Sequence, residues 1–454
     1  MIEKRCDVAI IGAGTAGLNA YRAAVAAGAD VLVIERGEGG STCTAVGCIP
    51  SKLLIAAGRA AHHARTTGLF GVEVGEVRVD GTRVMERLRA ERDRLNDQVA
   101  DEYRAIPTEH RVHGEARFLD AKTLAVGGEM RVQARAVIVA TGSHPAIPEF
   151  LNPVRSLVHT SDTIFDIATP PASLAVIGAG PLGIELAQAF ARLGVAVTVL
   201  DKAKTVAKLS DPEAERAARD ALAREMTFRL GVEIEAAMAG GEARLRWSGE
   251  DGSGGLEVEM IFAATGRPPD LEALNLPAAG VPLDDKGGPR FDRTTRRCGD
   301  TDVFVAGDAE AWRPVLHEAA RGGRTAGRVA AGEEGCRVLP DLKIAFTEPN
   351  LVEVGANFAD LPPDAIIGTA KAADSARATI DGDDQGLVQL YADRSGKLLG
   401  GTIVLTGGEH LGQTLALAID RDLNAATLAD QAWYHPVLEE MLQTAARDIV
   451  KRLS

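Results

Sequence analysis

Two cysteines, Cys43 and Cys48, stand close together in the segment Gly39–Lys52, GGSTCTAVGCIPSK. Such a pair is suited to dithiol and disulfide chemistry or to half of a metal site. A zinc site usually shows Cys-x2-Cys with a second ligand pair, and no such set is present, so no metal site is expected. Residues five apart on a regular α-helix are offset by about 7.5 Å along the axis. A disulfide needs Cα atoms within roughly 7 Å and converging side chains. Wherever a bridge forms, the segment must therefore be distorted, and Gly47 supplies the freedom. Pro50 and the apolar run behind it then start a true helix.

The elements that must position this chemistry come from an internal duplication. Val8–Arg36 reads VAIIGAGTAGLNAYRAAVAAGADVLVIER, and Ala175–Lys202 reads AVIGAGPLGIELAQAFARLGVAVTVLDK. Each is an apolar strand, a G-x-G-x-x-G turn, an amphipathic helix and a second strand ending in an acid. The spacing from Gly12 to Glu35 equals that from Gly178 to Asp201. Strand, turn, helix and an acid about 20 residues on form the full dinucleotide fingerprint. In each copy the first glycine (Gly12, Gly178) makes the tight turn. The second (Gly14, Gly180) admits the pyrophosphate, and the third (Gly17, Gly183) lets the helix pack on the strand. The helix N-terminus faces the negative charge, and Glu35 or Asp201 accepts hydrogen bonds from an adenosine ribose.

A second feature also repeats. AVIVATGSHPAIP (Ala136–Pro148) and IFAATGRPPD (Ile261–Asp270) are apolar strands ending in Ala-Thr-Gly, and VFVAGD (Val303–Asp308) ends in an acid. The end of a parallel strand is where ligands bind in open α/β sheets. Helical patterns fill Leu53–Arg65 and Val84–Arg104. After Gly335, Asp341–Ile367 and Gly386–Val404 alternate like antiparallel strands, and helices are expected over Gly412–Asp420 and Val437–Arg452. Cys6 reads as core, Cys298 and Cys336 as surface or loop, and Trp312 and Trp433 as packing residues.

The chain has 454 residues, 46% hydrophobic and 25% charged, with 49 glycines and a net charge of −14. That is a globular composition with room for about three domains. The acidity argues against a nucleic-acid partner. No apolar run is long enough for a bilayer, and the first strand is too short and glycine-bounded for a signal peptide, so no membrane role and a cytoplasmic location are expected. Five cysteines in such a length are not a disulfide scaffold.

Across nearly its whole length the chain resembles the class I pyridine nucleotide–disulfide oxidoreductases, and among them the dihydrolipoamide dehydrogenases. The resemblance rests on the paired fingerprints, C-x4-C-I-P-S-K, the two A-T-G strands, and the G-D strand with LHEAARGGRTAG (Leu316–Gly327). FTEPNLVEVG (Phe346–Gly355) and His435-Pro436 add to it. It implies an α/β fold with two Rossmann-like domains, for FAD and NAD, and a C-terminal α+β dimerisation domain. The expected division is 1–150 for FAD with the cysteines, 151–270 for NAD, 271–338 for the rest of the FAD domain, and 339–454 for dimerisation. The resemblance makes Cys48 the thiol against the flavin and Cys43 the one that meets substrate, paired in a redox disulfide. Lys52 near the flavin would pair with Glu185. Glu35 would hold the FAD ribose and Asp308 the ribityl chain. Gly114, Thr141 and Gly142 would line the FAD site, and Gly266 would belong to the nucleotide sites. The helix from Leu316 would aim its N-terminus at the flavin ring. His435 and Glu440 would form an acid–base pair that acts across a homodimer. Three positions depart from the pattern: Ala45 for the usual Asn, Val437 for Thr, and Pro181 where some relatives carry Tyr.

Asp201 and Gly183 favour NAD, while Lys202 and Lys204 could meet a 2′-phosphate. The mercuric reductases carry an extra C-terminal cysteine pair that this chain lacks. The expected activity is oxidation of protein-bound dihydrolipoyl groups with NAD. The carrier would be a 2-oxoacid dehydrogenase acyltransferase, a glycine cleavage H protein or similar. The alternatives are a glutathione or mycothione reductase-like enzyme and a flavoprotein subunit with a mainly assembly role.

Overall fold

The computed structural model describes residues 2–250 and 252–454. They divide into two compact units, one of Met1–Pro50, Arg87–Ala146 and Gly266–Val338, the other of Ser51–Glu86, Ile147–Thr265 and Leu339–Ser454.

In the first unit the parallel strands run in the order Arg111–His113, Val31–Glu35, Ile2–Ile11, Met130–Val139, and Val303–Val305 pairs with the last of these. Val8, Ala9, Ile10 and Ile11 are all buried, as expected for a parallel strand covered on both faces. Thr123–Val126 and Ala116–Phe118 extend the sheet as an antiparallel meander. The helices Thr15–Ala26 and Leu316–Ala330 lie together on one face. Their backbones touch: a Cβ at Gly323 or Gly327 would overlap the carbonyl oxygens of Ala16 and Ala20. The other face is covered by Leu271, Leu274, Leu276 and Val281.

The second unit repeats the pattern. Thr227–Leu230, Ala196–Asp201, Ser173–Ile177 and Met260–Ala263 are parallel, in the order of their counterparts. A three-stranded antiparallel sheet, Val232–Ala239, Glu242–Gly249 and Gly252–Val258, packs beside it. It lies outside the elements expected from the sequence. The C-terminal sheet is wholly antiparallel, in the order Leu342–Ala345, Asn350–Gly355, Leu398–Leu405, Leu387–Ala392, Ile366–Lys371. The helices Gly408–Asp420, Ala425–Asp430 and Glu440–Leu453 accompany it. The last begins three residues later than expected, and Ala425–Asp430, capped by Asn424 on the Thr427 N–H, is additional. No helix among the described residues is long and apolar enough to cross a membrane.

Candidate functional site

The two glycine turns are superimposable in their contacts. The Gly12 N–H donates to Ile34 O and the Gly178 N–H to Leu200 O, both at 2.8 Å. The Ala-Thr-Gly strands close over them, with Ala140 N–H on Ile11 O and Ala264 N–H on Ile177 O, also both at 2.8 Å. Gly12 and Gly178 have φ of 102° and 113°, and a Cβ on either would overlap the carbonyl of Ala140 or Ala264. A Cβ on Gly17 or Gly183 would overlap the carbonyl of Gly12 or Gly178. Glycine is thus required twice over, by conformation and by approach.

Glu35 accepts the N–H groups of Ala13 and Gly37, both at 2.7 Å. Asp201 likewise accepts Ala179 N–H at 2.6 Å and Ala203 N–H at 2.9 Å. Each carboxylate keeps further lone pairs for a hydroxyl donor. Beside Glu35 opens a cavity of about 240 Å³, lined by Gly12, Gly114, Thr141 and Asp270 among others. Thr141 Oγ1 is buried there with no partner. The Ser143 hydroxyl donates to Asp308 at 2.7 Å, and Arg267 donates to the Ser143 carbonyl at 2.9 Å. Gly142 and Gly266 have φ of 79° and 115°, and a Cβ at either, or at Gly180, would meet nothing within 4 Å. Leu316 opens its helix with an exposed side chain. Lys202 and Lys204 are not free cations: they pair with Glu233 at 2.8 Å and Glu250 at 2.6 Å.

The cysteine segment is broken where the spacing requires it. A short helix, Thr42–Ala45, is capped by Ser41, whose hydroxyl accepts the Cys43 N–H at 3.3 Å. The chain leaves it at Val46 (φ −139°, ψ 12°), turns at Gly47 and re-enters helix at Cys48–Thr66. A Cβ at Gly47 would lie 2.9 Å from Thr42 O and 3.1 Å from Cys43 Cα, so the turn folds back on the first cysteine. Cys43 is half-buried and Cys48 exposed. Next to Ala45, Thr44 donates to Asn96 of the helix Gly81–Arg104 at 2.7 Å, which brings an Asn amide to a stretch whose usual Asn is missing.

Lys52 donates to the buried Glu185 at 2.7 Å, and its ammonium sits 4.3 Å from the centroid of the Phe346 ring. The Phe346 N–H donates to the other Glu185 oxygen at 2.8 Å. Towards the C-terminus, His435 Nδ1 lies 3.1 and 3.2 Å from the two Glu440 oxygens. The Val437 N–H also donates to Glu440, at 3.1 Å, so the backbone helps hold the acid where Thr is replaced by Val. The hydrogen bond from His435, and then that from Val437, hold the Glu440 carboxyl below its usual range.

This arrangement has counterparts in known proteins. The family model described as pyridine nucleotide-disulphide oxidoreductase matches residues 6–326, and that family's dimerisation domain matches residues 342–446. The chain is a pyridine nucleotide-disulphide oxidoreductase. The family is FAD-dependent and uses NAD(P)H, and the dimerisation domain indicates a homodimer. Mercuric reductase of Streptomyces lividans is 32% identical, over 97% of this chain and 95% of the relative. Mercuric reductase of Acidithiobacillus ferrooxidans is also 32% identical, over 98% and 84%. Dihydrolipoyl dehydrogenase of Halobacterium salinarum is 30% identical, over 98% and 96%. The structure of LpdA from Mycobacterium tuberculosis superposes with a TM-score of 0.84 at 23% identity, covering 98% of this chain and 99% of that one. The HOCl-induced flavoprotein disulfide reductase RclA from Escherichia coli gives 0.81 at 21%, covering 97% and 99%. These structural likenesses concern the fold alone. These two mercuric reductases match at slightly higher identity than the dihydrolipoyl dehydrogenase.

Cys298 lies in a loop, as expected, but away from the surface. Cys298 is 1% exposed within the apolar cluster of the first unit, and burial pushes its thiol up to about 12. A neutral thiol there packs as a small apolar group. Cys6 is half-buried against the same cluster. Trp312 stacks edge-on to Phe291, and Trp433 packs on the C-terminal core. Ser143, Asn96 and Phe346 carry site contacts that the motifs did not single out. All three lie inside segments read from the sequence, Ser143 in Ala136–Pro148, Asn96 in Val84–Arg104 and Phe346 in Phe346–Gly355.

Proposed function

We propose that this oxidoreductase passes electrons between a pyridine nucleotide, FAD and a small dithiol through Cys43 and Cys48, with dihydrolipoyl groups as the dithiol and NAD as the nucleotide. The observation that carries the reading is the His435–Glu440 pair, an acid–base device added to an otherwise complete set of dinucleotide turns. Glu440 keeps its charge, so His435 Nδ1 holds the proton and Nε2 is left to take one from an attacking thiol. In the homodimer this dyad serves the cysteines of the partner subunit.

The first turn fits FAD. Gly12 and Gly17 leave the backbone open, Glu35 offers lone pairs to a ribose, and the orphaned Thr141 hydroxyl awaits a donor or acceptor. Gly14, Gly114 and Gly142 would complete that cradle, and Asp308, oriented by Ser143, would hold the ribityl chain. FAD, when bound, supplies hydride exchange with a nicotinamide, which neither thiol nor peptide provides. Cys48 would serve as the thiol toward it, Cys43 would meet the substrate, and Lys52, oriented by Glu185, would supply a positive charge. The N-terminus of the helix from Leu316 adds its partial charge. The second turn, with Gly178, Gly180, Gly183, Asp201 and Gly266, holds the nucleotide. Both lysines beside Asp201 are neutralised by glutamates, which supports NAD.

A second reading is favoured by the mercuric relatives, namely reduction of a soft metal ion by the same thiols. One set of assays separates the two. Dihydrolipoamide with NAD, glutathione disulfide with NADPH, and mercuric ion with NADPH are each offered to the purified enzyme. Turnover of the first alone supports the proposal; turnover of mercuric ion without that of dihydrolipoamide overturns it.

A further inference from the structure

The helix Pro181–Arg192 buries three polar side chains on one stripe, Glu185, Gln188 and Arg192, spaced i, i+3, i+7. Buried polar groups need partners, and those of this stripe come largely from Phe346–Glu348, the link between strands Leu342–Ala345 and Asn350–Gly355. Phe346 N–H donates to Glu185. Glu348 N–H donates to Gln188 Oε1 at 2.8 Å, and Gln188 Nε2 returns a bond to the Glu348 carbonyl at 2.7 Å. The side-chain amide thus pairs with the peptide as a strand would.

The Glu348 carboxylate then reaches in two directions. It accepts Arg192 Nη1 on this helix and pairs with Arg59 Nε at 2.5 Å on the helix Cys48–Thr66. Arg59 lies two turns beyond Lys52 on that helix. Next to it, Gly58 crosses the first helix so closely that a Cβ would stand 2.9 Å from Ala189 O. Glu225 takes the remaining Arg192 hydrogen bonds at 2.7 and 2.9 Å, and Gln188 at 2.8 Å. Burial works against the charge on Glu348, but the hydrogen bond and charge of Arg192, with the charge of Arg59, outweigh it and hold the carboxyl below its usual range. Lys52 and Glu185 form the near end of the two helix faces that Glu348 ties at the far end.

We propose that Glu348, acting through Gln188, Arg192 and Arg59, is a positioning residue that fixes the Lys52–Glu185 pair for exchange with the nicotinamide nucleotide. The inference rests on the role given to Lys52 and Glu185 under the proposed function. Removing the Glu348 charge takes away the ion pair of Arg59 and leaves Arg192 anchored by Glu225 alone. The two helices can then slide at the Gly58 crossing, and Phe346 no longer sets both the carboxylate and the ring beside the ammonium. A small misplacement of a catalytic group costs far more rate than stability. Thiol exchange at Cys43 does not draw on Lys52 and is left alone.

The test uses the flavin-loaded dimer of Glu348→Gln. Two rates are read under anaerobic rapid mixing: flavin reduction by NADH, and appearance of the Cys43 and Cys48 thiols with dihydrolipoamide. A third readout needs no turnover: acetylation of Lys52 by trace acetic anhydride, relative to the exposed Lys371, by mass spectrometry. The expected result is a fall of about tenfold or more in the NADH rate, an unchanged dihydrolipoamide rate, and faster acetylation of Lys52. Arg59→Gln, at a half-exposed position, should show the same pattern more weakly, and decides the matter if Glu348→Gln does not fold. Equal slowing of both rates, or unchanged Lys52 acetylation, overturns the proposal. Lys52→Met tests the underlying reading by itself: if its NADH rate is normal, that reading falls, while the acetylation result still reports whether Glu348 positions Lys52.

Discussion

Glu440 holds His435 by Nδ1 at 3.1 Å while the imidazole remains largely exposed, so its other nitrogen faces outward. Replacing His435 by Ala should lower dithiol turnover by about 10²–10⁴-fold, the usual contribution of an acid–base group. Flavin content and NADH oxidation by an artificial electron acceptor, which bypasses the thiols, should stay near wild type. Glu440→Gln should lose less, because it keeps the imidazole and an acceptor for it and removes only the negative charge. Steady-state rates with dihydrolipoamide and with ferricyanide check both. A loss under about tenfold for His435→Ala would contradict the acid–base role.

Each site should draw on both chains of the homodimer. Cys43→Ser and His435→Ala chains, each inactive alone, should regain dihydrolipoamide oxidation when their subunits are exchanged. Native mass spectrometry verifies the mixed dimer. Confirmed exchange with no recovered activity would show that the cysteines and the histidine of one site come from the same chain.

Asp201, flanked by lysines already paired with Glu233 and Glu250, should select NADH over NADPH by at least about tenfold in kcat/KM, since like charges at a binding site cost several kcal/mol. Asp201→Asn should narrow that ratio by weakening the repulsion of a 2′-phosphate. A wild-type preference for NADPH would mean that the two lysines change partners when the nucleotide arrives.

Glu310 is fully buried against Arg296, 2.9 Å away, with Glu318 and Asp308 near. Burial raises its carboxyl to about 7; Arg296 opposes that, and Glu318 and Asp308 add to it. The folded form therefore keeps a proton that the unfolded chain, at about 4.5, has released. Stability from this group is complete below that lower value and is lost as pH rises to about 7, by up to about 1.4 kcal/mol per pH unit. Urea denaturation across that range should show this slope, and Glu310→Gln should flatten it. Parallel curves for the two proteins would contradict the assignment.

What was legible in the sequence is what backbone geometry demands. Gly12, Gly17, Gly178 and Gly183 tolerate no Cβ, so each leaves a fixed glycine in the chain. Gly47 is readable for the same reason, because two cysteines five apart can converge only if the helix breaks. The burial of Cys298 is not legible in the sequence because its cover, Leu274, Leu276 and Val281 with strand residues such as Val303, is assembled by the fold and leaves no local period. Gln188 and Arg192 look like the polar residues of an ordinary helix. Their burial depends on Glu348, about 160 positions away, and no spacing rule connects them. The sheet Val232–Val258 does alternate, with Gly240 and Gly241 at its first turn, and was readable in principle.

The central claim is that electrons from a dithiol arrive first at Cys43 and Cys48. Anaerobic titration of the flavin-loaded enzyme with dihydrolipoamide, following flavin absorbance and counting thiols after a denaturing quench, tests it most directly. The first two-electron equivalent should release two new thiols per chain, mapped to Cys43 and Cys48, while the flavin remains oxidised. Bleaching of the flavin in that first step, with no change in the thiol count, would contradict the account.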